Sequence, residues 1–210
     1  MAEKLEIYDL NGKLLGIQDR KKFYSEIEKE FNNTGKISKQ VRSIRLLLMN
    51  SSGRIYLQKR SKFKEGNPGM YDKTIGGHVA AGDSFLMTVI RECAEELGFP
   101  SAILSEEDFI KATKVTDLTI IGVFKQVDYI TNFESIRVTK KRGLIKQPFM
   151  TTMYVGYYDG PIRFVDGEST GVEVFSLKEL KEEIKNNPDK FTEDIKFMVK
   201  KYGKFLKPIK

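Results

Sequence analysis

The chain has 210 residues, 40% hydrophobic and 31% charged, with 17 Gly and 6 Pro. That suffices for one domain with a sizeable core and excludes a fibrous or low-complexity chain. A single cysteine, Cys93, excludes an internal disulfide and a multi-cysteine zinc site, while 36 Lys and Arg against 29 Asp and Glu give +7, a field that draws phosphorylated ligands.

Residues 1–6 carry no basic-then-apolar leader, and no run approaches roughly 18 uninterrupted apolar residues. A cytoplasmic protein without a membrane span is expected. Residues 5–10 alternate, Asn11-Gly12 offers a turn with positive φ, and residues 14–17 return, which predicts a hairpin whose exposed edges could pair two copies in a homodimer. Phe23, Ile27 and Phe31 predict a helix over 21–31, stopped by Asn32-Asn33-Thr34-Gly35. This opening, residues 1–35, is read as part of the same unit as the main domain, 36–210.

Residues 41–49 and 54–59 are β-rich runs joined by Asn50-Ser51-Ser52-Gly53, a second hairpin. Residues 62–71 read as loop, and 74–80 as a short strand in which Gly76-Gly77 marks a turn or a close approach to a ligand. Asp83 is the expected N-cap of a helix whose apolar stripe is Phe85, Leu86, Val89, Ile90, Cys93 and Leu97, ended by Gly98 with Pro100 beyond. Cys93 falls on that apolar side and reads as a small core residue.

Residues 118–130 and 150–158 read as strands, the second turning at Asp159-Gly160-Pro161, and 172–175 as a short one. Residues 125–147 suggest a long hairpin arm or a lid. A helix over 177–185 stops at Asn186-Asn187-Pro188, and another starts at Thr192, with Glu193 and Asp194 in its first turn facing the helix dipole. Interleaved strands and helices predict an α/β fold, a mixed sheet covered on both faces as an α/β/α sandwich. The basic runs at 140–142 and 196–210 lack a nucleic-acid-binding motif and read as solvated faces.

On a helical wheel at about 100° per residue, Glu92, Glu95 and Glu96 share a sector beside the apolar stripe. Like charges at i,i+4 cost a helix roughly 0.2–0.5 kcal/mol, and the positions for a basic partner hold Thr88, Phe99 and Pro100; Arg91 alone can help, through Glu95. Three close carboxylates beside a core are costly unless a strong positive charge sits among them, and a divalent ion with carboxylate and water ligands meets that need. From the cluster alone, a solvated acidic helix face is the competing reading.

Residues 77–99, GHVAAGDSFLMTVIRECAEELGF, resemble the Nudix signature of Gly, five residues, Glu, seven residues, Arg-Glu, apolar, any, Glu-Glu, any, Gly, apolar. Asp83, where Glu is expected, is the one departure. The resemblance extends more loosely from Arg54 to about Lys185. It implies the Nudix sandwich, hydrolysis of a diphosphate such as a nucleoside diphosphate derivative, and an Mg²⁺ or Mn²⁺ requirement. By position it implies Glu92, Glu95 and Glu96 as metal ligands, a carbonyl of Gly76 or Gly77 as another, Arg91 as their orienting partner, and Glu168 as a further acid, with Glu173 the alternative.

Residues 57–82 resemble the branch that includes isopentenyl-diphosphate isomerase, which implies Arg60 and Lys64 as diphosphate binders. That enzyme needs a cysteine before its Gly-His or Ser-His pair and several metal-binding histidines. Here Ile75, Gly76 and Gly77 stand in the cysteine region and His78 is the sole histidine, so hydrolysis is favoured over isomerisation. His78 is read as a structural histidine or a substrate contact. A non-catalytic ligand-sensing module is the third reading.

Overall fold

The structure is a computed structural model that describes residues 3–139, 143–162 and 169–209. Ten strands and five α-helices follow one another: β1 (Lys4–Asp9), β2 (Leu14–Asp19), α1 (Arg20–Thr34), β3 (Lys39–Met49), β4 (Ile55–Arg60), β5 (Tyr71–Asp72), β6 (Ile75–His78), α2 (Phe85–Glu92), β7 (Ser101–Leu104), α3 (Glu106–Val115), β8 (Gly122–Thr139), β9 (Gly143–Tyr157), β10 (Ser169–Phe175), α4 (Leu177–Asn186) and α5 (Glu193–Tyr202). The main path of the sheet runs β10-β4-β3-β9-β8-β7, with β1 and β6 also pairing β3, β2 pairing β1, and β5 pairing β4. Two pairs, β3 with β9 and β7 with β8, are parallel and the rest antiparallel, so the sheet is mixed as expected.

Strand β3 organises both faces because its side chains alternate. Leu47 and Met49 join a core with Phe109 of α3, Leu180 of α4, and Ile195 and Met198 of α5. Ile44, Leu46 and Leu48 face Val89, Cys93 and Leu97 on the other side. A third cluster, Leu5, Ile7, Phe23, Ile27, Val41 and Phe149, fastens the opening hairpin and α1 to the sheet, where Ile7 pairs with Val41. Strand β2 leaves Leu14, Leu15 and Ile17 exposed.

Several expectations need correction. The cap of α2 is Ser84, whose hydroxyl accepts from the Met87 N–H, while the Asp83 carbonyl accepts from Arg42. Leu86 leaves the apolar stripe with 44% exposure, and Thr88 takes a buried place there. The strand expected at 118–130 starts at Gly122 and runs on to Thr139, pairing β9 as the long hairpin arm. The loop expected over 62–71 ends in β5, and β7 with α3 fills a stretch that periodicity had left unassigned. Ser105 caps α3, with Glu106, Glu107 and Asp108 in its first turn, an N-terminal pattern overlooked there.

Candidate functional site

The helix that carries the glutamates does not stay α-helical. After Glu92 it widens into a π-turn over Cys93–Leu97, closed by the Gly98 N–H donating to the Cys93 carbonyl, with Gly98 at φ 78°. Wider i→i+5 turns of this kind recur at functional sites. Gly98 tolerates the left-handed conformation that ends the turn. Glu96, four residues after Glu92, lies near enough to influence the Glu92 carboxyl, and both line the same cavity.

Gly76 and Gly77 on β6 each make room for a charged side chain. A Cβ on Gly77 would sit 2.7 Å from Glu92 Oε1, and one on Gly76 would collide with the Lys73 side chain. Only a strand bare on both faces lets a buried carboxylate and an ammonium approach its backbone. Glu92 is buried. That burial pushes its carboxyl up, the charge of Glu95 adds to the push, and Arg91 with the neighbouring Glu96 carboxyl pulls against it. Arg91 reaches Glu92 at 3.0 Å and Glu95 at 3.0 Å.

All of these groups line one cavity of about 460 Å³. Glu92, Glu95, Glu96, Arg91, Gly76 and Gly77 form one part of its lining, and Arg60, Lys64 and His78 contribute to the rest. Glu168 lies outside the described residues, and Glu173 stands on β10 without lining the cavity. Arg60 also ties down its own loop: its guanidinium donates to the Gly66 carbonyl at 2.9 and 3.1 Å and to Asp72 at 3.3 Å.

Metal fit follows from the donor chemistry. Glu92 and Glu96 offer hard oxygens in mutual contact beside bare backbone at Gly77, which suits Mg²⁺ or Mn²⁺. Among the described residues no three His, Cys, Asp or Glu side chains converge as a ligand set, and Glu95 is held by Arg91. A third carboxylate would enter by a change of Glu95 rotamer.

The floor of the cavity was not anticipated. Arg45, 3% exposed in the middle of apolar β3, donates to Asp194 at 2.9 Å and to Thr151 at 2.6 Å, with Phe133 and Phe149 rings 4.4 and 5.0 Å from its guanidinium carbon. Lys73 bridges Asp72 and Asp194, each at 3.1 Å, and Ser135 donates to Asp194 at 2.9 Å. Burial would raise both aspartates, but Arg45 and Lys73 hold Asp194 well below the usual carboxylate range, and Lys73 and Arg60 lower Asp72 as well. An arginine inside an apolar strand run was the one available signal.

His78 sits between rings, with its Nε2 2.6 Å from the Tyr24 hydroxyl and Phe149 tilted at 6.0 Å. Burial, with the fields of Arg20, Arg137 and Arg45, drives its pKa well below the ordinary value. The unfolded chain therefore takes up a proton below about pH 6.5 that the folded chain refuses, so this contribution to stability is complete above that pH and lost as pH falls. Thermal unfolding from pH 7.5 to 5 should show a decline approaching about 1.4 kcal/mol per pH unit. Because the chain has no other histidine, H78N should flatten that slope; an unchanged slope would refute the assignment.

A mixed sheet between helices, with a strand–loop–helix presenting glutamates to a basic cavity, defines a Nudix-type α/β/α domain. The family model for the NUDIX domain matches residues 39–195, and the chain belongs to that family. An uncharacterised Nudix hydrolase of Pseudomonas aeruginosa is 41% identical over 61 residues, 29% of this chain and 36% of that protein, so this first relative is matched over about a third of its length. An isopentenyl-diphosphate Delta-isomerase of Serratia proteamaculans is 24% identical over 151 residues, 72% of this chain and 70% of that one. A crystal structure of a Deinococcus radiodurans protein shares the fold with TM-score 0.63 at 18% identity, covering 94% of this chain and 98% of the other. No helix among the described residues is long and apolar enough to cross a membrane.

Proposed function

We propose that the cavity hydrolyses the diphosphate linkage of a small organic diphosphate, with Mg²⁺ or Mn²⁺ held by Glu92, Glu96 and Glu95. The observation that carries the reading is that one cavity is lined both by Glu92, Glu95 and Glu96 and by Arg60, Lys64 and Lys73. Bound there, a divalent ion supplies concentrated positive charge where the phosphates gain negative charge. Lys64 and Arg60 hold the phosphates as point charge and planar donor. Arg91 keeps Glu92 and Glu95 oriented.

Glu96 takes a proton from water as the water oxygen bonds one phosphorus, and the bridging P–O bond breaks with its electron pair going to the departing phosphate. Glu168 is the alternative proton acceptor. Formation of phosphomonoester, phosphate or pyrophosphate products from a panel of nucleotide sugars, dinucleotides, nucleoside triphosphates and prenyl diphosphates, read by phosphorus NMR, tests the reading. Activity with Mg²⁺ or Mn²⁺ that falls to background in EDTA is expected; a flat response across the panel, with no Mg²⁺ or Mn²⁺ uptake by calorimetry, would end it.

The isomerase relative motivates a second reading, since its match spans most of both chains. Against it, Cys93 is buried in the core with its thiol pushed up to about 12 by that burial. Such a thiol is a poor acid–base group near neutrality. Formation of dimethylallyl diphosphate from isopentenyl diphosphate would favour the isomerase instead.

A further inference from the structure

A second cavity, of about 190 Å³, opens between α1 and the β8–β9 arm, and Arg137 lines both it and the glutamate cavity. Its walls have a different character. Tyr24, Ile27 and Phe31 come from α1, and Ile145 and Gln147 from β9. Helix α1 lies wholly before the stretch that the family model matches.

A chain of hydrogen bonds joins the two spaces. Gln147 Nε2 donates to the Tyr24 hydroxyl at 3.1 Å, and that hydroxyl lies 2.6 Å from Nε2 of His78, which lines the glutamate cavity. Gly66 adds a second tie, since it lines the smaller cavity while its carbonyl is held by Arg60, which lines the larger. The two cavities thus adjoin at Arg137, and the smaller one is lined mainly by aromatic and aliphatic side chains, with Glu28, Glu65, Thr139 and Gln147 as further polar groups.

We infer that the smaller cavity receives the organic group of the diphosphate bound in the larger one, and that α1 thereby sets substrate choice. The inference rests on the proposed diphosphate site only for what fills the larger cavity. A planar ring with hydrogen-bonding edges is the occupant that fits. The Tyr24 and Phe31 rings and Ile145 offer apolar faces, while Gln147, Thr139, Glu28 and Glu65 offer polar groups, the carboxylates as acceptors for ring N–H or amino groups. A purely aliphatic chain would strip water from those polar groups without replacing their bonds. At about 190 Å³ the cavity is smaller than the roughly 300–1,000 Å³ of a whole-ligand pocket, as a compartment for one part of a ligand should be.

Calorimetry on the full chain, first in EDTA and then with Ca²⁺ to occupy the carboxylates, with ADP, methyl diphosphate and geranyl diphosphate as probes, reads the inference without relying on turnover. ADP should bind about tenfold more tightly than methyl diphosphate, and geranyl diphosphate should not exceed ADP. I145W, which fills the cavity, should collapse the ratio of ADP to methyl diphosphate affinity toward one, and F31A, which removes a wall, should lower it about threefold. Circular dichroism checks that each variant folds. An unchanged ratio in both variants, or tighter binding of geranyl diphosphate than ADP, overturns the inference. If methyl diphosphate does not bind while ADP binding stays sensitive to I145W, the diphosphate site falls and the ring compartment on α1 stands; if none of the three probes binds, both fall.

Discussion

Replacing Glu96 by Gln is expected to lower kcat for diphosphate hydrolysis by roughly 10²–10⁴-fold, the span of a lost general base. The substitution keeps the shape of the side chain and removes its charge. Glu96 stands on the π-turn close to Glu92, and an amide can fill the same place. With the metal removed by EDTA, taking away one of three crowded negative charges relieves repulsion, so thermal unfolding should not fall there. Steady-state formation of the phosphomonoester products with saturating Mg²⁺, read beside a melting curve in EDTA, separates the two effects. A rate within about threefold of the parent would exclude Glu96 as base, since even weak general-base contributions exceed that, and would direct attention to Glu168.

The strand–loop–helix bearing the glutamates could be read from the chain alone because its signals are local. Gly98 ends the helix where a left-handed residue is needed, and Gly76-Gly77 marks close approach by side chains rather than a bend. The π-turn could not be read, because a wheel drawn at one pitch places Glu96 beside Glu92 whether or not the helix widens. The cap shows the same limit at finer scale: Asp83 and Ser84 are both good capping residues by type, and the helix starts one residue later than expected, with the Ser84 hydroxyl accepting from the Met87 N–H.

The cavity floor escaped for a different reason. Asp194 follows Thr192 and Glu193 in a helix start, and a local reading spends it on the helix dipole. In the folded chain it accepts instead from Arg45, 149 residues earlier, and from Lys73 and Ser135. Pairings of that separation leave no periodic trace. The aromatic partners of Arg45, Phe133 and Phe149, come from the two strands of the arm, which sequence could only describe as an arm or a lid.

That network sets the second large effect. D194N should destabilise the fold by about 3–5 kcal/mol, because it leaves the Arg45 guanidinium and the Lys73 ammonium buried with an uncharged amide between them. S135A removes one neutral donor from the same carboxylate and should cost only about 1 kcal/mol. Urea unfolding of the three proteins at pH 7.5 measures both, and a loss below about 1 kcal/mol for D194N would mean that water reaches and screens the network. The pH response gives an independent check. Asp72 and Asp194 are held below the usual range, so their contribution is present above about pH 4 and lost as pH falls further, well separated from the His78 decline below about 6.5. D194N should therefore flatten the acid limb below pH 4 while leaving the slope between 5 and 6.5 intact. Because Lys73 lines the glutamate cavity and takes its position from Asp194, the same variant should raise KM for a diphosphate substrate more than it lowers kcat, which a purely global loss of folded protein would not do.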